Sequence, residues 1–425
     1  MAVESSTNLS LVSRCNRREE DHPDSSEPEP SHESINKLTD PLLFGNSSSD
    51  SNPFTLMLQY MVEYPYNQVL LLPSDNSSLF KSHIDRAGLD FLNFLPYPIS
   101  IEATFNDLLL VCGENLKFFN PSSNHEYYIC NPITKQWLIV APPPLQTISN
   151  MTMAMVGFIC EPYSCQKEQE SITITNAHYK YKVVRILSPT ETNTTQLEME
   201  IFSSVTGEWS NSVVLSPKGL NPFITMSMRA GIVTCSGKLH WVDAERENNM
   251  IKGFVVFDPF NDAERCRYIN PPSELSLLNS VSFGVFQGRL QLFQLSRNDN
   301  FSVWELEDYG NAGTWCMKHK VYLKDMVSEN SLLVELANEM YSNVDLLAFH
   351  PNDVEVVFLQ FRNYVVLCNM RTRVLKMAGY LRNKEKSLVN NHTLPVSAKS
   401  SFLLVQPQWP TPIPPLPLDN YLLRF

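Results

Sequence analysis

The sequence predicts an all-β fold, a β-propeller of about six blades, and three observations carry that prediction. The first is a hairpin grammar at residues 127–144. Tyr127 to Cys130 and Trp137 to Val140 are β-rich, and Asn131-Pro132-Ile133-Thr134-Lys135 between them is turn chemistry. Aromatic and β-branched residues suit half-buried strands, and Asn and Pro pre-set a turn. Pro142, Pro143 and Pro144 lack an amide proton and end the pairing. The second observation is that this grammar returns: Met199–Phe202 turning into Trp209, Phe254–Phe257 into Arg267–Ile269, Phe301–Leu306 into Trp315, and Tyr364–Asn369 into Val374–Met377. The third is the period. The anchors Trp137, Trp209, Arg267 or Tyr268, Trp315 and Val374 lie about 45 to 75 residues apart, the scale of one four-stranded blade with its loops.

Taken in order, residues 1–53 are serine-rich, carry the run Glu27-Pro28-Glu29-Pro30 and hold one aromatic, Phe44. Such a stretch buries too little apolar surface to offset its chain entropy, so a disordered acidic tail is expected. The propeller is expected from 54 to 407. Phe54 to Tyr64 is a short apolar run whose periodicity fits either a strand or a buried helical turn. Val69–Leu72 reads as a strand, and Leu89–Leu95, stopped by Pro96, as another without a partner. Two strands follow within 99–119; the second, Leu108 to Cys112, is continuously apolar, as a strand packed on both faces requires. With the 127–140 hairpin they make the first full blade.

The second blade takes Met153–Cys160 and Tyr181–Leu187 as its inner strands. The third opens on a hairpin across the tight Ser236-Gly237 turn, and the fourth repeats that phrase at Gln287-Gly288. The fifth takes Val344–Phe349 and Val354–Leu359. A lone strand at Ser400–Val405, joined to those near 69–95, closes the ring with both chain ends and removes open sheet edges. Residues 408–425 form a proline-rich tail, expected as a rigid cap over the closing blade; its Pro-x-x-Pro also suits an aromatic groove.

Composition narrows the function. The net charge is −12 with no Lys/Arg cluster, which argues against nucleic acid and anionic membrane as partners. No run of about 18 apolar residues marks a membrane span, and the first residues carry no apolar signal core. Nine scattered cysteines, an odd number in strand-like settings, read as reduced thiols in the cytoplasm or nucleus. With 14 glycines, a regular Gly-signature kelch array is not expected. Cys160 and Cys165 lack a second pair at metal spacing, and no cofactor motif is present. The neighbours Glu305, Glu307 and Asp308, and Asp353 with Glu355, have ordinary surface-strand spacing, so catalysis is not expected. Trp137, Trp209 and Trp315 recur at one place in each blade, which favours packing between blades over a stacking platform.

Together these motifs resemble the F-box-associated propeller of plant F-box proteins. That family pairs a Cys-Asn-Gly-Leu-Leu-Leu-type strand with a Cys-Asn-Pro-x-Thr-Lys-x-Trp hairpin ending in prolines. Here the first is Phe105-Asn106-Asp107-Leu108-Leu109-Leu110, and the second runs from Cys130 to Trp137 and ends at Pro142–Pro144. Gly237-Lys238-Leu239-His240-Trp241 matches a further strand of the family. The resemblance covers roughly residues 65–405 and makes Cys130, Asn131, Pro132, Thr134, Lys135, Trp137, Trp209, Trp241 and Trp315 structural motif residues. It implies a kelch-like protein-interaction module: the substrate-recognition subunit of a Skp–cullin–F-box ubiquitin ligase, binding target proteins through propeller loops. Its implied partners are a Skp adaptor and a cullin ligase. The F-box itself is missing or degenerate. Only Leu38-Thr39-Asp40-Pro41-Leu42-Leu43 is in place, followed by a Gly/Ser/Asn/Pro run that cannot continue its helices. Two alternatives stay open, an F-box-less scaffold or decoy and a carbohydrate-binding or glycosidase propeller.

Overall fold

The computed structural model describes residues 52–63, 66–74, 89–95, 99–113, 126–143, 154–162, 179–223, 231–245, 250–272, 280–296, 300–308, 313–338, 344–381, 398–407 and 410–413. The expected acidic tail lies outside the described residues, apart from Asn52 and Pro53. Within them the repeated hairpin grammar becomes repeated sheets. Blade I pairs β3 (Ile99–Phe105), β4 (Leu108–Gly113), β5 (Glu126–Asn131) and β6 (Gln136–Val140) in that order. Blade II is β7 (Ala154–Pro162), β8 (Tyr179–Leu187), β9 (Thr194–Ser203) and β10 (Glu208–Leu220). Blade III is β11 (Val233–Cys235), β12 (Lys238–Glu245), β13 (Met250–Asp258) and β14 (Asp262–Ile269). Blade IV is β15 (Ser280–Phe286), β16 (Arg289–Ser296), β17 (Asn300–Asp308) and β18 (Thr314–Tyr322). Blade V is β19 (Val344–Phe349), β20 (Val356–Phe361), β21 (Tyr364–Asn369) and β22 (Val374–Tyr380).

Both chain ends build the sixth blade. β1 (Phe54–Glu63) lies between β2 (Tyr66–Pro73) and β23 (Ala398–Val405), with Leu56 opposite both Leu72 and Leu403. The first strand of each blade, and β23 in the sixth, touches the next around the ring, from β3 through β7, β11, β15 and β19 to β23 and back to β3. The core is split to match. Six apolar clusters sit one at each junction between neighbouring blades, such as Leu110, Ile129, Phe158 and Phe202 between I and II. Burial therefore holds blade to blade rather than filling a single centre.

The turns show why the grammar repeats. The last strand residue before each turn is often a side chain that caps it: Asn131 Oδ1 accepts from the amides of Ile133 (2.9 Å) and Thr134 (3.3 Å). Asp258 Oδ1 does the same for Phe260 and Asn261, and Asn369 Oδ1 for Arg371 and Thr372. The turn then needs a left-handed residue, supplied by Lys135 (φ 58°), Gly207 (φ 72°) and Arg373 (φ 59°). In the two-residue turns Ser236-Gly237 and Gln287-Gly288 both residues have positive φ, the geometry that matches strand twist.

One expectation changes, one open reading resolves and one element is new. Leu89–Leu95 is not a strand: Asp90–Leu92 is a single 3-10 turn whose Phe91 and Leu92 pack into the cluster between blades VI and I. The apolar run from Phe54 resolves as a strand, because Leu56, Met57, Leu58 and Tyr60 are all fully buried and both its faces are covered. The linker before blade V also holds a short helix, α1 (Ser331–Asn338), which the sequence reading did not anticipate.

Candidate functional site

In blade I, the turn from β3 into β4 and the turn from β5 into β6 lie side by side, because Leu109 pairs with Cys130. Asp107 closes the first turn and Asn131 opens the second. Both are completely buried. Asn131 Nδ2 donates to Asp107 Oδ2 at 2.8 Å and to the carbonyl of Thr411 at 2.9 Å, while the Thr411 amide donates to Asp107 Oδ2 at 2.8 Å. Two side chains thus read the backbone N–H and C=O of one residue of the C-terminal tail. Burial pushes the Asp107 carboxyl above its usual range, opposed by the hydrogen bonds from Thr411 and Asn131. Pro410–Ile413 seat here, on the first blade, where a cap over the closing blade was expected, and the rest of the tail lies outside the described residues; Val405 and Gln406 lead to this seat through bonds to Asn106 and Pro53.

Of the motif residues, Cys130 is fully buried in the VI–I cluster and burial raises its thiol well above the ordinary range. Pro132 is buried, and Thr134 and Lys135 are exposed on the turn. The outer-strand tryptophans reach back to the preceding blade. Trp209 Nε1 donates to the carbonyl of Ala141, where blade I ends, at 2.5 Å, and its ring tilts against Tyr127 of that blade with centroids 6.3 Å apart. Trp315 repeats this one pair of blades on, donating to the Asn270 carbonyl at 2.8 Å and packing on Phe254. Trp137 packs edge-on against Tyr128 beside the cluster shared with the closing blade. Trp241 sits in the core of blades II and III and backs a small cleft formed with Leu220–Phe223.

Sequence reading missed a second set of inter-blade side chains. Gln59 on β1 accepts from the Ile101 amide at 2.8 Å, where β3 slips register, and Gln360 accepts from the Ala398 amide at 3.1 Å, where β23 slips against β1. Each glutamine satisfies an amide next to a bulge in the next blade's innermost strand. No local pattern in the sequence announces them. Asp107 and Thr411 were likewise silent, since their partnership spans 304 residues.

Of the carboxylates weighed as acid–base candidates, Glu305 and Glu307 are held by cations. Burial pushes Glu305 up, but hydrogen bonds from Arg289 (2.8 Å) and Gln291 (3.2 Å), with the Lys318 charge, hold it below the usual range. Asp353 caps the Glu355 amide, and Glu355 lies 3.5 Å from His319. His240 is fully buried and desolvation lowers its pKa to about 4, keeping the imidazole neutral. Cys160 is a free buried thiol, and Cys165 lies outside the described residues. Among the described residues no three His, Cys, Asp or Glu side chains converge as a metal site, and no helix is long and apolar enough to cross a membrane.

This chain is similar to several F-box proteins. It is 24% identical over 318 residues to the F-box protein At5g03970 of Arabidopsis thaliana, covering 74% of this chain and 66% of that protein. With the putative F-box/kelch-repeat protein At1g15680 of the same plant it shares 20% over 307 residues, covering 69% and 66%. The match therefore spans just under two thirds of the length of these relatives. Among solved structures, the fucose-specific lectin from Aleuria aurantia aligns over 80% of this chain and all of its own, at 8% identity and a TM-score of 0.37. The family described as F-box protein At3g26010-like, beta-propeller, matches residues 98–403, from the first strand of blade I into the strand that closes the ring. With that match spanning five blades and the start of the sixth, the chain belongs to the F-box protein At3g26010-like β-propeller family.

Proposed function

We propose that this propeller is a protein-recognition module that selects targets for a Skp–cullin–F-box ubiquitin ligase. The observation that carries the reading is the family match over residues 98–403. The ring supports it: blades joined by tryptophan and glutamine hydrogen bonds are a scaffold of the kind that carries binding sites on its loops. Binding rather than catalysis is favoured by Glu305 being paired with Arg289 and Lys318. A cytoplasmic or nuclear setting is in keeping with six buried thiols outside any disulfide among the described residues.

The deciding experiment is a pull-down of the full chain on purified Skp adaptor, with residues 52–425 as the control that keeps β1 intact. Adaptor binding that requires residues 1–51 supports the ligase reading. Absence of binding by the full chain overturns it and favours a scaffold without an F-box, for which the Gly/Ser/Asn/Pro run after Leu43 already speaks.

A further inference from the structure

We propose that the paired turns of blade I form a binding site for an extended, proline-flanked peptide, and that the chain's own Pro410–Ile413 is its resident occupant. Three observations carry this. The site is held from within blade I: Asp107 and Asn131 are bonded to each other at 2.8 Å, Asn131 is further fixed by the two turn amides it caps, and both are fully buried with the tail seated. What they hold is backbone. The Thr411 amide and carbonyl are bound by a carboxylate and an amide, as a neighbouring strand would bind them.

The tail's chemistry fits that site in the third place. Prolines at 410 and 412 have no N–H, so Thr411 offers the sole amide proton between them and no wrong register competes. Exposure alternates along the segment: Pro410 and Pro412 face solvent, Thr411 is 6% exposed, and Ile413 packs on the cluster between blades I and II. The recognised pattern is therefore Pro-x-Pro followed by a branched apolar residue. A peptide of that chemistry from another protein competes with the tail for the same turns. The site does not depend on the ligase reading, and no ligase component enters its test.

The test uses the full chain. Thr411→Pro removes the backbone amide of the tail that donates to Asp107 and frees the turns, and binding of a fluorescent peptide of residues 406–415 is followed by anisotropy. The T411P protein should bind it at least about tenfold more tightly than the unmutated protein, whose own tail competes, and adding Asn131→Ala should remove that gain. Equal weak binding by both proteins, or binding indifferent to N131A, overturns the proposal. Should T411P fail to fold, amide exchange on the unmutated chain decides. Saturating peptide should speed exchange at Thr411 by displacing the tail, and an unchanged rate overturns the site.

Discussion

Asn131 shows how one side chain serves two levels of structure. Its carbonyl oxygen caps a local turn, while its amide nitrogen joins Asp107 and Thr411 across the fold. Asn131→Ala should therefore cost more than an ordinary turn residue, about 1–3 kcal/mol for the buried groups left without partners, read as a lowered melting temperature. The turn role was legible in Asn-Pro-x-Thr-Lys; the long-range role was not, because nothing local in a sequence marks a partner 280 residues away. Two buried titratable groups give opposite pH signatures. Burial raises the folded pKa of Asp107 above 3.8, so the stability it contributes is present below the unfolded value and lost as pH rises through the folded one. Asp107→Asn, whose side-chain oxygen still accepts both bonds, should gain on the wild type in melting temperature as pH rises above 3.8. His240 runs the other way, since its folded pKa of about 4 lies under 6.5. Its stability is present above 6.5 and lost as pH falls towards 4, by about 3 kcal/mol in all. Denaturant midpoints measured across that window should flatten in His240→Leu.

Elements were legible where their chemistry is local. Each hairpin carries its own punctuation, so the strands on either side of residues 132–135, 204–207, 259–261 and 370–373 fall where turn residues and β-branched runs place them. Where tertiary packing decides, the reading failed. The 3-10 turn at Asp90–Leu92 and the eight residues of α1 are too short for periodicity to separate from a strand, and both exist because neighbouring blades bury Phe91, Leu92, Leu333 and Leu336. The tryptophan anchors were readable as a recurrence, and their mechanism is testable. Trp209→Phe keeps most of the ring contact with Tyr127 and Phe202 but leaves the Ala141 carbonyl without its donor, which should cost about 1 kcal/mol. Trp209→Ala also empties the half-buried space between blades I and II, for about 3 kcal/mol in total. Thermal melts of the two variants should rank in that order. A larger loss from Phe than from Ala would assign the tryptophan no packing role.

At the scale of the whole molecule, the ring depends on two segments about 340 residues apart in the chain meeting in one sheet, a pairing of high loop-closure cost. Closure by the chain ends was readable from a C-terminal strand with no local partner. That β1 takes the middle place was not, since a strand buried on both faces shows no alternation. Its position makes the N-terminal boundary decisive. β1 carries Leu56, Met57, Leu58 and Tyr60 at zero exposure, with Gln59 capping Ile101. At about 1.5–3 kcal/mol for each large buried side chain, those four supply roughly 6–12 kcal/mol, comparable to the entire stability of a typical domain. A chain starting at 65 loses that contribution and leaves β2 and β23 as facing, unpaired edges. Residues 52–425 should melt in one cooperative transition close to that of the full chain and elute as one species in size-exclusion chromatography. Residues 65–425 should aggregate or elute as a broad oligomer without a sharp melt. A monomeric, cooperatively folded 65–425 would mean that five blades close without the sixth, and that β1 seals the ring rather than holding it shut.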